Sequence, residues 1–336
     1  MSVFVAEELS EVLNTKVVIG RINMGLLNRI IIDDVLLDDQ SGQEMLKVTR
    51  LSAKFDIMPF FKGKISISSV QLFGFNINLR KETPDSPPNF KFVLDAFASK
   101  DTVKKENSLD LRINSILIRR GRMSYHVLSE EETPGKFNAK HIQLQNIIAN
   151  ISLKALSKDS LNLGIKRLSL DEKASGFSLK KMSLKLVANN KQTNIDNFTI
   201  ELPETSLKLD TIHLEYDSLK AFDRFTEQVH FSFRTLPSQV TLKDISPFVP
   251  ILSHFKEPVT LDMEVKGTVD QLTCSHLEIT ADDRQFRLRG DVSLQDLSRP
   301  QDAYVYGTLS ELSGNTRGVG FLVRNLSPNY NGVPPL

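Results

Sequence analysis

The most constraining feature of this chain is a short pattern of apolar residues that recurs along most of its length. An apolar residue alternates with any other residue, a spacer of two residues follows, and the alternation then resumes in the opposite parity. Alternation with period two is typical of a β-strand that has one apolar face. The doubled spacer predicts a β-bulge or a corner, which re-aims the strand so that both halves keep their apolar side chains on one side. The clearest copies have their apolar positions at Val17, Ile19, Ile22 and Met24; Ile30, Ile32, Val35 and Leu37; Ile65, Ile67, Val70 and Leu72; Leu111, Ile113, Ile116 and Ile118; Leu163, Ile165, Leu168 and Leu170; and Leu207, Leu209, Ile212 and Leu214.

The copies of the pattern are irregularly spaced, which does not match the fixed period of a solenoid. A long antiparallel meander with loops of different lengths accounts for the spacing better. The sequence therefore predicts a mainly β protein, an elongated and curved antiparallel β-sheet that forms an open groove and carries a few short helices.

Two segments with helical spacing of apolar residues interrupt the strand pattern, one near the start of the chain and one after the proline-rich loop 83–88. The final residues, 331–336, look like a break in a longer chain. We expect an amphipathic helix at 1–14, a first groove segment at 15–99 with a short helix near 89–98, central groove repeats at 100–228, and a C-terminal segment at 229–336 that continues in a longer parent chain.

The charge balance argues against a nucleic-acid partner. The chain has 42 basic and 41 acidic residues and a formal net charge of +1, whereas affinity for nucleic acids depends on clustered lysine and arginine. The single cysteine, Cys274, excludes an internal disulfide. No stretch approaches the roughly 18–20 apolar residues of a membrane-spanning helix.

The residues that could carry out chemistry do not form a recognisable motif. The six histidines, at 126, 141, 213, 230, 254 and 276, do not fall at metal-ligand spacing with one another. The chain has no phosphate-binding glycine loop, no nucleophile elbow and no His-Glu-x-x-His motif. We therefore predict no enzymatic activity, no cofactor and no metal site.

Four segments carry a resemblance to the AsmA-like family, and within it to the TamB translocation and assembly module proteins. They are residues 5–20, 65–79, 89–98 and 259–291, so that the resemblance extends over nearly the whole chain. Each segment is a pattern of apolar alternation rather than a fixed motif. The chain departs from the family in lacking a membrane anchor and in being far shorter.

The resemblance implies a location and a function. Members of the family are anchored in the inner membrane of diderm bacteria and project a β-groove across the periplasm. They are implicated in phospholipid transport to the outer membrane and in assembly of outer-membrane proteins. The implied partners are phospholipid acyl chains, the inner membrane through an anchor that this sequence lacks, and an outer-membrane TamA-like barrel reached through a missing C-terminal part.

A lipid groove is consistent with simple energetics. Exposing one acyl methylene to water costs about 0.8 kcal/mol, so a chain of roughly sixteen carbons costs on the order of 12 kcal/mol. A continuous apolar trough removes that cost at each step. Our candidates for groove-lining residues are the first halves of four copies of the pattern: Ile65, Ile67, Leu111, Ile113, Leu163, Ile165, Leu207 and Leu209.

The residues alone leave two alternatives open. The same positions could form the closed core of an ordinary sandwich, in which case a charged substitution such as Ile113→Glu would unfold the protein. The chain could also be a structural scaffold for outer-membrane protein assembly that contains no lipid conduit.

Overall fold

The computed structural model describes residues 2–26, 28–55, 67–98, 114–156, 160–281, 285–297 and 302–320. In these residues the protein is mainly β, with 17 strands joined in one hydrogen-bonded sheet and a few short helices. The predicted fold class is confirmed in these respects. Strands 1 to 9 are β1 (Val17–Gly25), β2 (Arg29–Asp38), β3 (Glu44–Phe55), β4 (Ile67–Lys81), β5 (Ser115–Val127), β6 (His141–Leu156), β7 (Ser160–Glu172), β8 (Ser178–Asn189) and β9 (Gln192–Glu201). Strands 10 to 17 are β10 (Ser206–Lys208), β11 (Ile212–Glu215), β12 (His230–Arg234), β13 (Ser238–Val240), β14 (Val259–Gly267), β15 (Gln271–Ala281), β16 (Phe286–Gln295) and β17 (Tyr304–Gly314).

The helices are all short. Helix α1 (Ser2–Leu13) and helix α2 (Lys91–Ala98) lie where the sequence predicts helices. Further along the chain are α3 (Phe225–Gln228), a helical turn at 316–320, and three 3₁₀ helices at Leu219–Arg224, Leu242–Ile245 and Pro250–His254. Among the described residues, no helix has the length and apolar character that crossing a membrane requires.

The chain divides into two compact units, which we call the N-terminal unit (Met1–Leu153 with Lys166–Ser178) and the C-terminal unit (Lys154–Ile165 with Leu179–Leu336). In the N-terminal unit, β1 to β4 form an antiparallel meander, and β5 pairs antiparallel with β6. Strands β4 and β5 pair in parallel, which the sequence did not predict. A parallel neighbour requires a crossover connection, and α2 lies in the part of the chain between β4 and β5.

In the C-terminal unit, β8 and β9 pair antiparallel, and β9 also pairs with both β10 and β11. Strands β14 to β17 form an antiparallel meander that β12 and β13 join at β14. A small buried cluster of Tyr216, Ala221 and Val229 holds the helical segment 219–228, which contains Ala221, in place. The Tyr216 hydroxyl donates to the Asn189 carbonyl at 2.7 Å, which satisfies this buried polar group.

Residues of positive φ recur in the strands, and one of them, Asp34, falls in a doubled spacer of the clearest copies of the sequence pattern. Five strands, β2, β4, β5, β6 and β9, each contain one residue in the left-handed region, and in each strand it is the second residue after an apolar position. These residues, which we call the left-handed seam, are Asp34, Gly74, Arg120, Asn146 and Asn197, with φ between 54° and 65°. Glycine, asparagine and aspartate tolerate this conformation best.

The left-handed residue keeps both halves of a strand on one face. Leu72 and Phe75 flank the seam in β4, and Leu144 and Ile147 flank it in β6. Regular alternation would put each pair on opposite faces, yet all four side chains pack in one cluster. The predicted corner is confirmed in β2, where Asp34 ends the spacer between Ile32 and Val35 and both of these residues pair with apolar residues of β3. Strands β4 and β6 make the same corner at spacers that the clearest copies do not include. Elsewhere a register shift has the same effect, as between Lys54 and Phe55, where β3 pairs with the start of β4.

A buried carboxylate closes the turn after β7. Glu172 accepts hydrogen bonds from the backbone N–H groups of Gln143 at 2.9 Å, Ala174 at 3.2 Å and Ser175 at 2.6 Å. Burial, the largest influence, would raise the pKa of Glu172, but these bonds and one from the Ser175 hydroxyl together hold it below the usual value. All four residues belong to the N-terminal unit.

We expect Glu172→Gln to destabilise the N-terminal unit by about 2–3 kcal/mol, because the amide loses charge-assisted hydrogen bonds and turns a donor toward backbone donors. The lowered pKa stabilises the fold above the unfolded value of about 4.3, and that contribution is lost as pH falls through the folded value. Hydrogen exchange of peptides from β5 and β6 at increasing urea concentration, at pH 7 and at pH 3, measures both effects in the N-terminal unit. The difference in the free energy of unfolding between the parent chain and Glu172→Gln should shrink at pH 3. Glu44→Gln, at an exposed strand position, should change neither the stability nor its pH dependence. An equal difference at both pH values would contradict this role for the carboxylate.

Candidate functional site: an apolar face of the N-terminal unit

The strand register of the N-terminal unit lines up apolar residues in four rows that run across six strands, β1 to β6. Residues paired across neighbouring strands lie on the same face of a sheet, so each row lies on one face. In the second row the step from β4 to β5 is made by the Phe75 ring, which covers Gly121. We call the surface made by these rows the apolar face. The rows are Val17, Leu37, Leu46, Ile77, Met123 and Leu144; Ile19, Val35, Val48, Phe75, Gly121 and Ile147; Ile22, Ile32, Leu51, Leu72, Ile118 and Ala149; and Met24, Ile30, Ala53, Val70, Ile116 and Ile151.

The second row is the most deeply packed part of the apolar face. Val48, Phe75 and Ile147 are buried and form a cluster that partly buried residues of the first and third rows surround. Gly121 occupies one place in this row because a Cβ there would overlap the Phe75 ring. The cluster fixes the two sides of the left-handed seam against each other.

The outer rows of the apolar face are only partly covered. In the third row, Ile22, Ile32, Leu51, Leu72 and Ile118 all keep partial exposure, and in the fourth row Met24 is 77% exposed. Five strand spacings of about 4.8 Å give the face a width of about 24 Å. One leaflet of a bilayer core is about 15 Å thick, half of about 30 Å. The face is thus large enough to cover an acyl chain.

The opposite face of the same strands is charged. The register places Arg21, Asp33, Arg50, Phe73 and Arg119 side by side across β1 to β5, and these residues line a cavity of about 660 Å³. Arg50 Nε lies 2.6 Å from Asp33 Oδ1. This hydrogen bond lowers the pKa of Asp33 against the opposing effect of burial. One face of the sheet therefore suits apolar ligands, and the other stays polar.

The C-terminal unit repeats the construction on a smaller scale. Across β14 to β17, one row contains Leu261, Ile279, Leu288 and Leu312, and a buried pair, Ala281 and Phe286, packs beside it. Leu312 is 56% exposed. Rows of apolar side chains that are only partly covered thus occur in both units.

The structure separates the predicted groove residues. Ile65, Leu111 and Ile113 lie outside the described residues. Ile67 begins β4 in the N-terminal unit, whereas Leu163, Ile165, Leu207 and Leu209 belong to the C-terminal unit. Leu163, Ile165 and Leu207 are partly buried, and Leu209 is 8% exposed.

The groove candidates include no residue of the apolar face, because they were limited to the first halves of four copies of the pattern and the copies in β1 and β2 were not chosen. The same pattern continues through β4 at Val70, Leu72, Phe75 and Ile77, but Phe73 places an aromatic residue in the spacer and hides it. In β5 the position after the spacer is Gly121, which does not count as an apolar residue. A search for a spacer whose second residue is Gly, Asn or Asp would have found β4 and β6.

Comparison with known proteins finds no matching family model, no matching curated protein and no matching solved structure. The family resemblance therefore stays a prediction, and the proposal below depends on the apolar face itself.

Proposed function

We propose that the apolar face shields phospholipid acyl chains during transport between the inner and outer membranes, as part of a TamB- or AsmA-like periplasmic groove that supports outer-membrane biogenesis. The observation that carries the proposal is the set of four apolar rows across six strands, of which the second is packed and the outer ones are only partly covered. We extend it to the partners that the resemblance implies, the inner membrane and an outer-membrane TamA-like barrel.

Two features of the apolar face favour a lipid tail over a compact ligand. The rows run across the strands without a charged residue among their members, so a tail can shift along them without meeting a polar barrier. Each methylene that stays in contact avoids a cost of about 0.8 kcal/mol in water. A partly covered face also lets a tail enter sideways while its head group remains in solvent.

One observation favours the alternative of an assembly scaffold. In β17, Tyr304, Val305, Tyr306 and Leu309 are each more than half exposed, and β17 pairs with β16 alone among the described strands. An exposed apolar edge strand can accept a strand from another protein. A scaffold that used this edge would not require lipid on the apolar face.

Ile31 and Ile32 offer a matched test of the lipid proposal. They are neighbours in β2 with similar partial burial, but Ile32 lies in the third apolar row and Ile31 pairs with Asn23 and Ser52 on the opposite face. A carboxylate placed in an apolar ligand site costs several kcal/mol. We expect Ile32→Glu to lower lipid retention at least about tenfold and Ile31→Glu to leave it unchanged.

The measurement is the amount of phospholipid that stays with the full chain. The protein is incubated with vesicles of phosphatidylethanolamine and phosphatidylglycerol and repurified, and the extracted lipid is quantified by mass spectrometry. Circular dichroism checks folding of each variant. The proposal fails if the parent chain retains no lipid, if both variants lose it equally, or if only Ile32→Glu unfolds, since that last result would make the face a closed core.

A further inference from the structure

Two histidines face each other at the end of the β5–β6 hairpin. His126 precedes the last residue of β5, His141 is the first residue of β6, and the register pairs them directly. Their Nδ1 atoms are 3.0 Å apart. A cross-strand pair of imidazoles at this distance offers two nitrogen ligands that converge on one point.

Glu132, in the loop that joins the two strands, supplies a third ligand. Its Oε1 lies 3.9 Å from His126 Nδ1, and one ligand atom from each of the three side chains lies within 4.8 Å of the other two. Zinc bonds of about 2.0–2.1 Å at tetrahedral angles separate neighbouring ligand atoms by about 3.3 Å. The observed distances of 3.0 Å between the two Nδ1 atoms and 3.9 Å between Glu132 Oε1 and His126 Nδ1 lie on either side of this value. The Glu132 side chain is 60% exposed, so it can rotate toward the ion.

The ring of His141 is held in the orientation that a ligand requires. Its Nε2 lies 2.9 Å from the Glu130 carbonyl oxygen, which can only accept, so Nε2 carries the proton. The unprotonated Nδ1 of the buried His141 then points at His126. Histidines that bind metals commonly donate their other N–H to a backbone carbonyl in this way. Without a metal, His126 Nδ1 donates the hydrogen bond to His141 Nδ1. For His126 Nδ1 to bind a metal, the proton on this nitrogen must move to Nε2 of the same ring.

The loop that carries Glu132 is itself fixed. Asn138 Nδ2 donates to the Glu131 carbonyl at 3.1 Å, and Lys140 Nζ lies 2.6 Å from Glu130 Oε2. These contacts place the acidic residues over the end of the hairpin. The third ligand is thus delivered by an ordered segment.

We propose that His126, His141 and Glu132 bind one Zn²⁺ ion, with the fourth position of the tetrahedron occupied by water. Imidazole and carboxylate are ligands that suit zinc. The ion ties the loop 128–140 to the paired ends of β5 and β6. In β5, Met123 and Tyr125 lie on the apolar face, so His126, the next residue, lies on the opposite face. The zinc site is therefore on the face opposite the apolar rows, and it is independent of lipid binding.

Titration of the full chain with zinc tests the site. After treatment with a chelator and removal of it, the protein is titrated with ZnCl₂ by calorimetry, and Co²⁺ is then substituted to record the absorption bands of tetrahedral cobalt. We expect one ion per chain. His126→Gln and Glu132→Gln should each weaken binding at least about tenfold, since even changes to outer-shell groups cost that much. Glu131→Gln, in the same loop, and His230→Gln, at an exposed histidine elsewhere, should leave it unchanged.

Three outcomes overturn the proposal. They are the absence of saturable zinc binding, binding that His126→Gln does not weaken, and an octahedral cobalt spectrum, which would indicate surface binding by carboxylates and water. Circular dichroism of each variant separates loss of the site from loss of the fold. His141 is not substituted because its burial makes unfolding a direct consequence.

Discussion

Replacing Phe75 by alanine should lower the free energy of unfolding of the N-terminal unit by about 3–5 kcal/mol. Phe75 is 7% exposed and packs with Val48 and Ile147 at the centre of the apolar face. Its ring also fills the space over Gly121. Truncation removes these contacts and leaves a cavity that paired strands cannot collapse to fill.

The measurement must resolve the two units of the chain, because a single transition cannot be assumed for them. The chain contains no tryptophan, so fluorescence offers little. Hydrogen exchange of peptides from β4 to β6 at increasing urea concentration reports the N-terminal unit directly. The midpoint for those peptides should fall in Phe75→Ala, while peptides from β14 to β16 should keep theirs.

Phe73→Ala is the matched control for Phe75→Ala. Phe73 lies two residues earlier in β4, is 37% exposed and belongs to the charged face, where the Arg120 guanidinium sits 5.1 Å from its ring. Losing that contact should cost about 0.5–1 kcal/mol. Equal losses in the two variants would mean that the assignment of the two faces is wrong.

The strands and their apolar faces were predictable because alternation is a local property of the sequence. The spacer in β2 also indicated the corner that Asp34 makes. Arg120 could not be anticipated in the same way, since arginine rarely adopts positive φ. In the structure the Arg120 guanidinium lies 5.1 Å from the Phe73 ring, a contact with a residue of the neighbouring strand that no local pattern indicates.

Features that depend on register were not accessible from the sequence. The parallel pairing of β4 with β5 is one such feature, and no local sequence pattern encodes which strands become neighbours. The same applies to His126 and His141, whose separation in sequence suggests no metal site. They meet only because they end the two arms of one hairpin.

The groove residues predicted from the sequence differ from those of the apolar face, and their assignment stays a prediction. The sequence indicated that apolar positions would share one face, and it then assigned the groove to the first half of each pattern. In β4 and β6 both halves contribute to the apolar face, because Gly74 and Asn146 restore the orientation after the spacer. The two halves are equivalent in this respect, so a choice between them does not define the site.

Replacing Gly121 by valine should lower the free energy of unfolding of the N-terminal unit by about 3 kcal/mol, the upper end of the cost of overpacking a core. A Cβ at this position would overlap the Phe75 ring and lie 3.0 Å from Ile147 Cβ. Valine is otherwise favoured in strands, so a loss of stability would be due to the packing and not to strand propensity. Hydrogen exchange of β4 to β6 peptides again provides the measurement.

The double variant Gly121→Val with Phe75→Ala decides whether the ring is the cause. Each substitution alone is destabilising, but the valine side chain occupies space that the missing ring vacates, so the two costs should not add. We expect the double variant to be more stable than the sum predicts by about 2 kcal/mol, within the range of coupling between residues in contact. Strict additivity would show that Gly121 does not pack against Phe75, and the apolar face would then lack the close contact that joins β4 to β5 across the left-handed seam. Since the contact between Gly121 and Phe75 also holds the second row together, its absence would remove the physical basis for a continuous apolar face.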